Sequence, residues 1–281
     1  MALVTDVSDN NMDDKRAVAG RAVAGHAAAK GRVTGGRAVD EHNSEARDAE
    51  ERVTDDAIDV RFAVEQERTT RYADVIFDYC DVLLDWRPRL ALEGQAPSAV
   101  LDWFFDTRTP YGFWHYDALS DAGVSEGEIV ADFTWHHANG VGAAPTGGAT
   151  AAERLFATYF ERQNLALHGM VPGMAELLAD LDAAGVRLWG LTNFTAKFVA
   201  AARGRFPALG LLQGTVVSSE EGVRKPDPEI YRRAVRRFGV NPAATAFVDD
   251  KARNARASRV VGLNGVRFVD AAQARADLLG E

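Results

Sequence analysis

From residue 73 onward, short apolar runs alternate with segments that have the spacing of amphipathic helices. Each run has the length of a buried strand and is followed by a polar residue. The runs occupy residues 73–77, 186–191, 214–217, 246–248 and 265–269. Because strands that alternate with helices pair side by side through crossover connections, the pattern predicts an α/β fold with a doubly wound parallel sheet and helices on both of its faces.

Two of the helical segments have clear end signals. Residues 174–184 place apolar side chains at helical spacing, and Gly185 follows as a stop signal. Residues 228–238 come after Asp227, a residue type that caps helix N-termini, and begin with Pro228, which suits a first helical turn. The sequence therefore predicts a helix over each segment.

Residues 88–170 interrupt this alternation. They have helical character throughout and are rich in aromatic residues. A helical insertion after the first strand is expected to form a small cap domain over the strand ends, where ligands bind in open α/β sheets. The predicted α/β core then comprises residues 71–87 and 171–281, and residues 88–170 form the cap.

Residues 1–70 differ from the rest in composition. They contain no Trp or Tyr, are rich in Ala, Gly and charged residues, and repeat the unit Arg-Ala-Val-Ala-Gly at 16–20 and 21–25. Such a segment has little apolar surface to offset the entropy of ordering. We expect it to be a disordered, low-complexity N-terminal extension.

Bulk composition excludes several classes of protein. The net charge of −9 argues against nucleic acid as a partner, and no apolar run approaches the roughly 20 residues of a membrane span. The single cysteine cannot form an internal disulfide, which favours a cytoplasmic location. Nothing in the composition predicts a protein partner.

Polar residues with catalytic potential follow the first two core strands. Asp78 follows the run 73–77, and a carboxylate there can attack phosphorus; the alternative is an Asp that only caps a loop. Thr192 and Asn193 follow the run 186–191, and the Thr192 hydroxyl can donate to a phosphoryl oxygen, although Thr-Asn is also ordinary turn chemistry.

Two later segments supply a cation and an acidic pair. Lys225 could neutralise charge on a nucleophile and a phosphoryl group, whereas an isolated Lys is usually a solvated surface charge. Asp249 and Asp250 follow the run 246–248, and adjacent carboxylates repel one another unless a cation lies between them and Asp78. The alternative for the pair is an N-cap on the next helix.

These segments together resemble the motifs of one family. The matching stretches are residues 77–83, Thr192, Lys225 within the specific stretch 218–231, and Asp249-Asp250 with Asn254. Because of these matches, the chain from about residue 73 to 281 resembles the haloacid dehalogenase superfamily. Within it, the chain resembles the phosphatase branch that has a helical cap after the first strand. The resemblance implies a Rossmann-like core and covers about three quarters of the chain.

The resemblance also implies roles for the residues. Asp78 would be the nucleophile, and Mg²⁺ would be held by Asp78, Asp250 and the backbone carbonyl of Cys80, with Asp249 acting directly or through water. Thr192, Asn193 and Lys225 would bind the phosphoryl group.

Cys80 departs from the family pattern. It stands where the family usually has an Asp that acts as general acid and base, and a thiol is a poor substitute for that role. Some relatives that lack this Asp are still regarded as phosphatases, and we interpret Cys80 as a packed small side chain.

Three functions are compatible with the sequence. The leading hypothesis is a Mg²⁺-dependent phosphatase that hydrolyses a small phosphorylated metabolite, with a sugar phosphate as one candidate, through an aspartyl-phosphate intermediate. A haloacid-dehalogenase-type hydrolase acting on carbon is an alternative, but it needs no metal, which argues against it given the acidic pair. A catalytically weak scaffold that binds a phosphorylated ligand or a protein is the third.

Overall fold

The computed structural model describes residues 70–140 and 154–280. The predicted N-terminal extension lies outside these residues except for its last member. Among the described residues, no helix has both the length and the apolar character that crossing a lipid bilayer requires.

A parallel sheet of five strands forms the centre of the structure. In chain order the strands of the described residues are β1 (Asp74–Phe77), β2 (Leu84–Trp86), β3 (Leu167–Met170), β4 (Arg187–Thr192), β5 (Thr215–Val217), β6 (Thr245–Asp249) and β7 (Asn264–Arg267). The central sheet has the order β5-β4-β1-β6-β7, and every pair in it is parallel. This confirms the predicted fold class.

The strand order places the end of β1 in the middle of the sheet. The chain adds β4 and β5 on one side of β1 and then crosses over to add β6 and β7 on the other side. Ligands in such sheets bind at the carboxyl ends of the strands where the order switches direction. The residues that follow β1, β4 and β6 therefore meet at this edge.

Helices cover both faces of the central sheet. In chain order the α-helices of the described residues are α1 (Ser98–Phe105), α2 (Phe113–Asp121), α3 (Glu126–Ala138), α4 (Leu155–Arg162), α5 (Met174–Ala183), α6 (Ala196–Arg205), α7 (Ser218–Glu221), α8 (Pro228–Phe238), α9 (Ala252–Ser258) and α10 (Ala271–Leu279). Val75 and Phe77 of β1 belong to one apolar cluster with α5, α6 and α10, whereas Ile76 belongs to another with α8. This alternation is the expected result of side chains pointing to opposite faces along a strand.

The end signals of the two predicted helices are confirmed. Helix α8 begins at Pro228, and the Asp227 side chain accepts a hydrogen bond of 2.8 Å from the Glu229 N–H. Helix α5 ends at Ala183, and Gly185 follows in the left-handed region with a φ of 78°. Both signals act within a few residues, so the local sequence is sufficient to specify them.

The predicted cap contains α1 to α4, and their inner faces form a cluster of buried, mostly aromatic side chains that is separate from the two clusters on the sheet. One part of the prediction is wrong: residues 167–170 are not helical but form β3, which pairs antiparallel with β2. Gly169 disfavours a helix here because glycine loses more conformational entropy on ordering, and the pairing with β2 satisfies the backbone groups of the segment. It also brings the two ends of the insertion next to each other.

Candidate active site

Asp78 lies directly after β1 at the centre of the sheet edge. Its backbone N–H donates to the Val248 carbonyl at 2.9 Å, so the register of β6 fixes its position. The side chain is almost fully buried, and its Oδ1 accepts from the Tyr79 N–H and from Lys225 Nζ, each at 2.7 Å. Its Oδ2 has no hydrogen-bond partner among the described residues, which leaves one carboxylate oxygen available for attack.

Lys225 connects the ends of three strands. Its ammonium group is buried and lies 2.7 Å from Asp78 Oδ1, 2.8 Å from Asp249 Oδ2 and 3.3 Å from the Leu191 carbonyl oxygen. A buried ammonium is tolerated only where such partners satisfy it. Lys225 is therefore not a solvated surface charge, which was the alternative interpretation of this residue.

Asn193 holds the loop on which Lys225 lies. Its Oδ1 accepts from the Lys225 N–H at 2.8 Å, and its Nδ2 donates to the Lys225 carbonyl at 3.0 Å. These two bonds give Asn193 a positioning role that the sequence analysis missed. The direct phosphate contact expected of Asn193 stays a prediction.

Asp249 is fully buried, and both of its carboxylate oxygens are occupied. Oδ1 accepts from the Lys251 N–H at 2.9 Å and from Asn254 Nδ2 at 3.0 Å, and Oδ2 accepts from Lys225 and, at 3.1 Å, from Asn254 Nδ2. The spacing of Asp249 and Asn254 across the start of α9 was visible in the sequence, but the bond to Lys225 was not.

Three carboxylates form a candidate metal site. Asp78, Asp249 and Asp250 each offer an oxygen, and these oxygens all lie within 4.8 Å of one another. Asp250 Oδ1 is buried and has no hydrogen-bond partner in residues 70–140 or 154–280, and the Lys251 ammonium is 3.9 Å away. A buried, unpartnered carboxylate oxygen is costly, and oxygen ligands of this kind suit Mg²⁺. The residues therefore fit a hard divalent cation.

Thr192 ends β4 beside β1, and its side chain is fully buried. Its Oγ1 has no hydrogen-bond partner within the described part of the chain. Leaving a buried hydroxyl unsatisfied costs about 1–3 kcal/mol, so a ligand oxygen bound here would recover part of that energy.

Burial and charge set the protonation of the cluster. Burial raises the pKa of Asp78 to about 7, although the Lys225 ammonium works against this shift. Burial alone would lower the pKa of Lys225, but Asp78 and Asp249 outweigh it and the pKa is raised. Burial likewise opposes ionisation of Asp249, but Lys225 overcomes it and lowers the pKa of that carboxyl. Lys225 and Asp249 thus form a stable ion pair.

A cavity of about 630 Å³ opens over the cluster, a volume typical of small-molecule sites. Asp78, Cys80, Asn193 and Lys225 contribute to its wall, whereas Thr192, Asp249 and Asp250 do not. The cap side of the wall includes Trp114, Asp117 and Asp121, all on α2. The sequence analysis did not identify the two acids, although their spacing of four residues in a helical segment places them on one face.

A doubly wound parallel sheet, a buried carboxylate and ammonium at the carboxyl ends of its central strands, and a helical insertion after the first strand define a hydrolase with a Rossmann-like core and a cap. Residues 75–262 match the family of haloacid dehalogenase-like hydrolases, and the chain belongs to that family. The resemblance seen in the sequence is thereby confirmed.

Individual relatives agree with this assignment. The chain is 27% identical over 201 residues to a sesquiterpene phosphatase of Aspergillus oryzae, a match that covers 72% of this chain and 92% of the relative. It is 34% identical over 120 residues to an N-acetylmuramic acid 6-phosphate phosphatase of Pseudomonas putida, covering 41% of this chain and 52% of that enzyme.

A solved structure has the same fold. It is a haloacid dehalogenase family enzyme of Bacteroides thetaiotaomicron, with a TM-score of 0.54 and 16% identity, and the match covers 71% of this chain and 94% of the other.

Proposed function

We propose that the protein is a Mg²⁺-dependent phosphatase that hydrolyses a small phosphorylated metabolite in the cytoplasm through an aspartyl-phosphate intermediate. The observation that carries the proposal is the arrangement of Asp78. One of its oxygens is fixed by Lys225 and by a backbone N–H, while the other has no partner and the carboxylate borders the cavity. A carboxylate held in this way is an oriented nucleophile.

The chain's own residues account for most of the phosphoryl transfer. Asp78 Oδ2 attacks the phosphorus atom, and the bond from phosphorus to the leaving oxygen breaks. Lys225 balances the negative charge that collects on the transferred group, and the Thr192 hydroxyl donates to one of its oxygens. Asp249 keeps Lys225 charged and in place.

Asp78, Asp250 and the backbone carbonyl of Cys80 would hold the Mg²⁺, with Asp249 behind them. When bound, the ion supplies positive charge beside the phosphoryl oxygens. The unpartnered oxygen of Asp250 supports this ligand set. A hydrolase acting on a carbon–halogen bond would gain nothing from three converging carboxylates.

The relatives support the substrate class. Both relatives described above are phosphatases by name. The mixed charged and aromatic wall of the cavity suits a polar phosphate ester with room for an organic leaving group.

Phosphate release from a panel of phosphate esters, measured with Mg²⁺ and with EDTA, tests the proposal. We expect turnover that requires Mg²⁺ and that disappears in Asp78→Asn. A panel of 2-haloacids, assayed for halide release, serves as the control. Halide release without phosphate release would overturn the proposal in favour of chemistry at carbon, and binding of phosphate esters without turnover would overturn it in favour of a scaffold.

A further inference from the structure

Phosphate ester hydrolysis needs a group that gives a proton to the leaving oxygen and later takes one from water. Several titratable residues on the cavity wall are unsuited to this task. Asp78 is the nucleophile, and Lys225 is held in two ion pairs. Asp227 is occupied as the N-cap of α8. Burial, followed by the charge of Asp78, raises the pKa of the Cys80 thiol well above its usual value, so it gives up its proton poorly.

The acids that remain on the wall are Asp117 and Asp121. They lie one turn apart on α2, and neither side chain has a hydrogen bond or an ion pair with any residue in 70–140 or 154–280. The charges of three core residues, Arg224, Lys225 and Lys251, act on Asp121, and all three residues line the same cavity. Both acids thus border the cavity without a side-chain bonding partner among the described residues.

The C-terminal end of α2 is fixed to the core beside the nucleophile. Ser218 Oγ, which is fully buried, donates to the Asp121 carbonyl at 2.6 Å, and Arg224 Nη1 donates to the Ala118 carbonyl at 3.2 Å. Gly123 approaches the Ser219 carbonyl oxygen so closely that a Cβ there would lie 2.6 Å from it. These contacts hold the Asp121 backbone in place relative to the site.

We propose that Asp121 is the proton-transfer residue of this enzyme, supplied by the cap instead of by the loop that carries the nucleophile. The inference rests on the proposed phosphatase function and names a further catalytic residue for it. Asp121 is chosen over Asp117 because its own backbone carbonyl is fixed to the core by Ser218, and because the charge of Lys225, the partner of the nucleophile, acts on it.

Electrostatics agree with this role. Burial raises the pKa of Asp121 to about 6, although Arg224 and Lys225 oppose the shift. Burial, followed by the neighbouring Asp121 charge, raises the pKa of Asp117 well above its usual range. The two neighbouring acids therefore do not ionise together, and a carboxyl that exchanges its proton near neutral pH is suited to acid–base catalysis.

The chemistry balances in two steps. In the first, Asp78 Oδ2 bonds to phosphorus, the bond from phosphorus to the leaving oxygen breaks, and that oxygen takes the proton of Asp121 and departs as an alcohol. In the second, a water molecule gives a proton to the Asp121 carboxylate while its oxygen bonds to phosphorus. The bond from phosphorus to Asp78 then breaks, which releases phosphate and restores both residues.

The decisive experiment compares leaving groups in Asp121→Asn. The probes are p-nitrophenyl phosphate, phenyl phosphate and glycerol 3-phosphate. The basicity of the leaving oxygen increases in this order, and so does its need for a proton. We expect kcat/KM to fall roughly 10²–10⁴-fold for glycerol 3-phosphate but at most about tenfold for p-nitrophenyl phosphate. The variant should also show a burst of p-nitrophenol, because hydrolysis of the aspartyl phosphate becomes slow.

An equal loss for all three esters, or no loss, would overturn the assignment, because a structural or purely binding role does not depend on the leaving group. Asp117→Asn is the matched variant one turn earlier, and any change in its kcat/KM should be the same for all three esters. Asp102→Asn, an exposed cap residue paired with Arg89, should behave like the wild type.

A measurement on the wild type keeps the proposal testable if Asp121→Asn does not fold. Its kcat/KM should depend only weakly on the basicity of the leaving group, and a steep dependence would contradict an acid at Asp121. If the wild type releases no phosphate from these three esters or from any other ester, the proposed phosphatase function is wrong. This result differs from a failure of the Asp121 assignment, in which the wild type is active.

Discussion

The side-chain amide of Asn193 bonds to both the N–H and the C=O of Lys225, which lies 32 residues later in the chain. This pair of bonds joins the loop after β4 to the loop before α8. Because the Lys225 ammonium contacts both Asp78 and Asp249, the amide also sets the geometry around Asp78, the proposed nucleophile.

Asn193→Ala should lower kcat strongly while it lowers the free energy of unfolding only modestly. Each lost hydrogen bond contributes about 0.5–1.5 kcal/mol to folding, but a small displacement of Lys225 weakens its contact with the nucleophile. Steady-state kinetics together with urea unfolding check this. A rise in KM with unchanged kcat would instead favour the direct phosphate contact predicted from the sequence.

Asp78→Asn should abolish turnover without unfolding the protein. The amide oxygen can still accept the bonds from Tyr79 and Lys225, but the amide is no nucleophile. Phosphate release and thermal unfolding are the measurements. Turnover by a well-folded variant would mean that another residue attacks phosphorus.

Asp250→Ala should weaken Mg²⁺ binding, whereas Asp249→Ala should mainly destabilise the fold. Asp250→Ala removes an unpartnered oxygen, so we expect a higher Mg²⁺ concentration for half-maximal activity and little change in stability. Asp249→Ala leaves the buried Lys225 with Asp78 as its remaining carboxylate partner, which should lower the free energy of unfolding by about 1.5–3 kcal/mol. Mg²⁺ titration of activity and urea unfolding of both variants separate the two roles, and identical behaviour would refute the distinction.

Gly123→Ala should displace the end of α2 and destabilise the protein. Gly123 has a φ of 94°, and an added Cβ would lie 2.6 Å from the Ser219 carbonyl oxygen. We expect lower stability and lower kcat, since Asp121 would move with the turn. Gly127→Ala is the control: nothing lies within 4 Å of its added Cβ, and Ala in a helix is favoured over Gly by up to about 1 kcal/mol.

Cys80→Asp should raise kcat or leave it unchanged. The substitution adds a carboxyl group to the cavity wall beside Asp78 and keeps the backbone carbonyl proposed to bind Mg²⁺. The gain should be below the roughly 10²–10⁴-fold of a positioned acid, because a new buried charge costs solvation. Comparing kcat with that of Cys80→Gly checks this, and loss of activity in two folded variants would reveal a role for the thiol.

Features of the fold that depend on near neighbours in the sequence could be predicted. The N-cap at Asp227 and the stop at Gly185 act within one turn, and the strands of the central sheet are apolar runs with polar ends. The positions of Asp78 and Thr192 followed from those ends, because parallel strands align their carboxyl ends.

Features that depend on distant pairing could not be predicted. The strand at 167–170 exists because residues 84–86 lie beside it, and no local pattern records that partner. The arrival of Asp121 at the cavity depends on contacts of α2 with Ser218 and Arg224, about a hundred residues away in the chain. Helical spacing shows that Asp117 and Asp121 lie on the same face of α2, but it does not show which part of the protein that face contacts.

The antiparallel pairing of β2 with β3 allows the insertion between them to be replaced. Leu84 and Met170 are direct partners, so the polypeptide leaves the core and returns to it at neighbouring points. A different insertion, longer or shorter, could be grafted between them without altering the register of the central sheet. Closing a longer loop costs only about 0.6 kcal/mol for each doubling of its length. Asp78 and Lys225 could thus be retained while the cap side of the cavity, which we propose selects the leaving group, is exchanged as a unit.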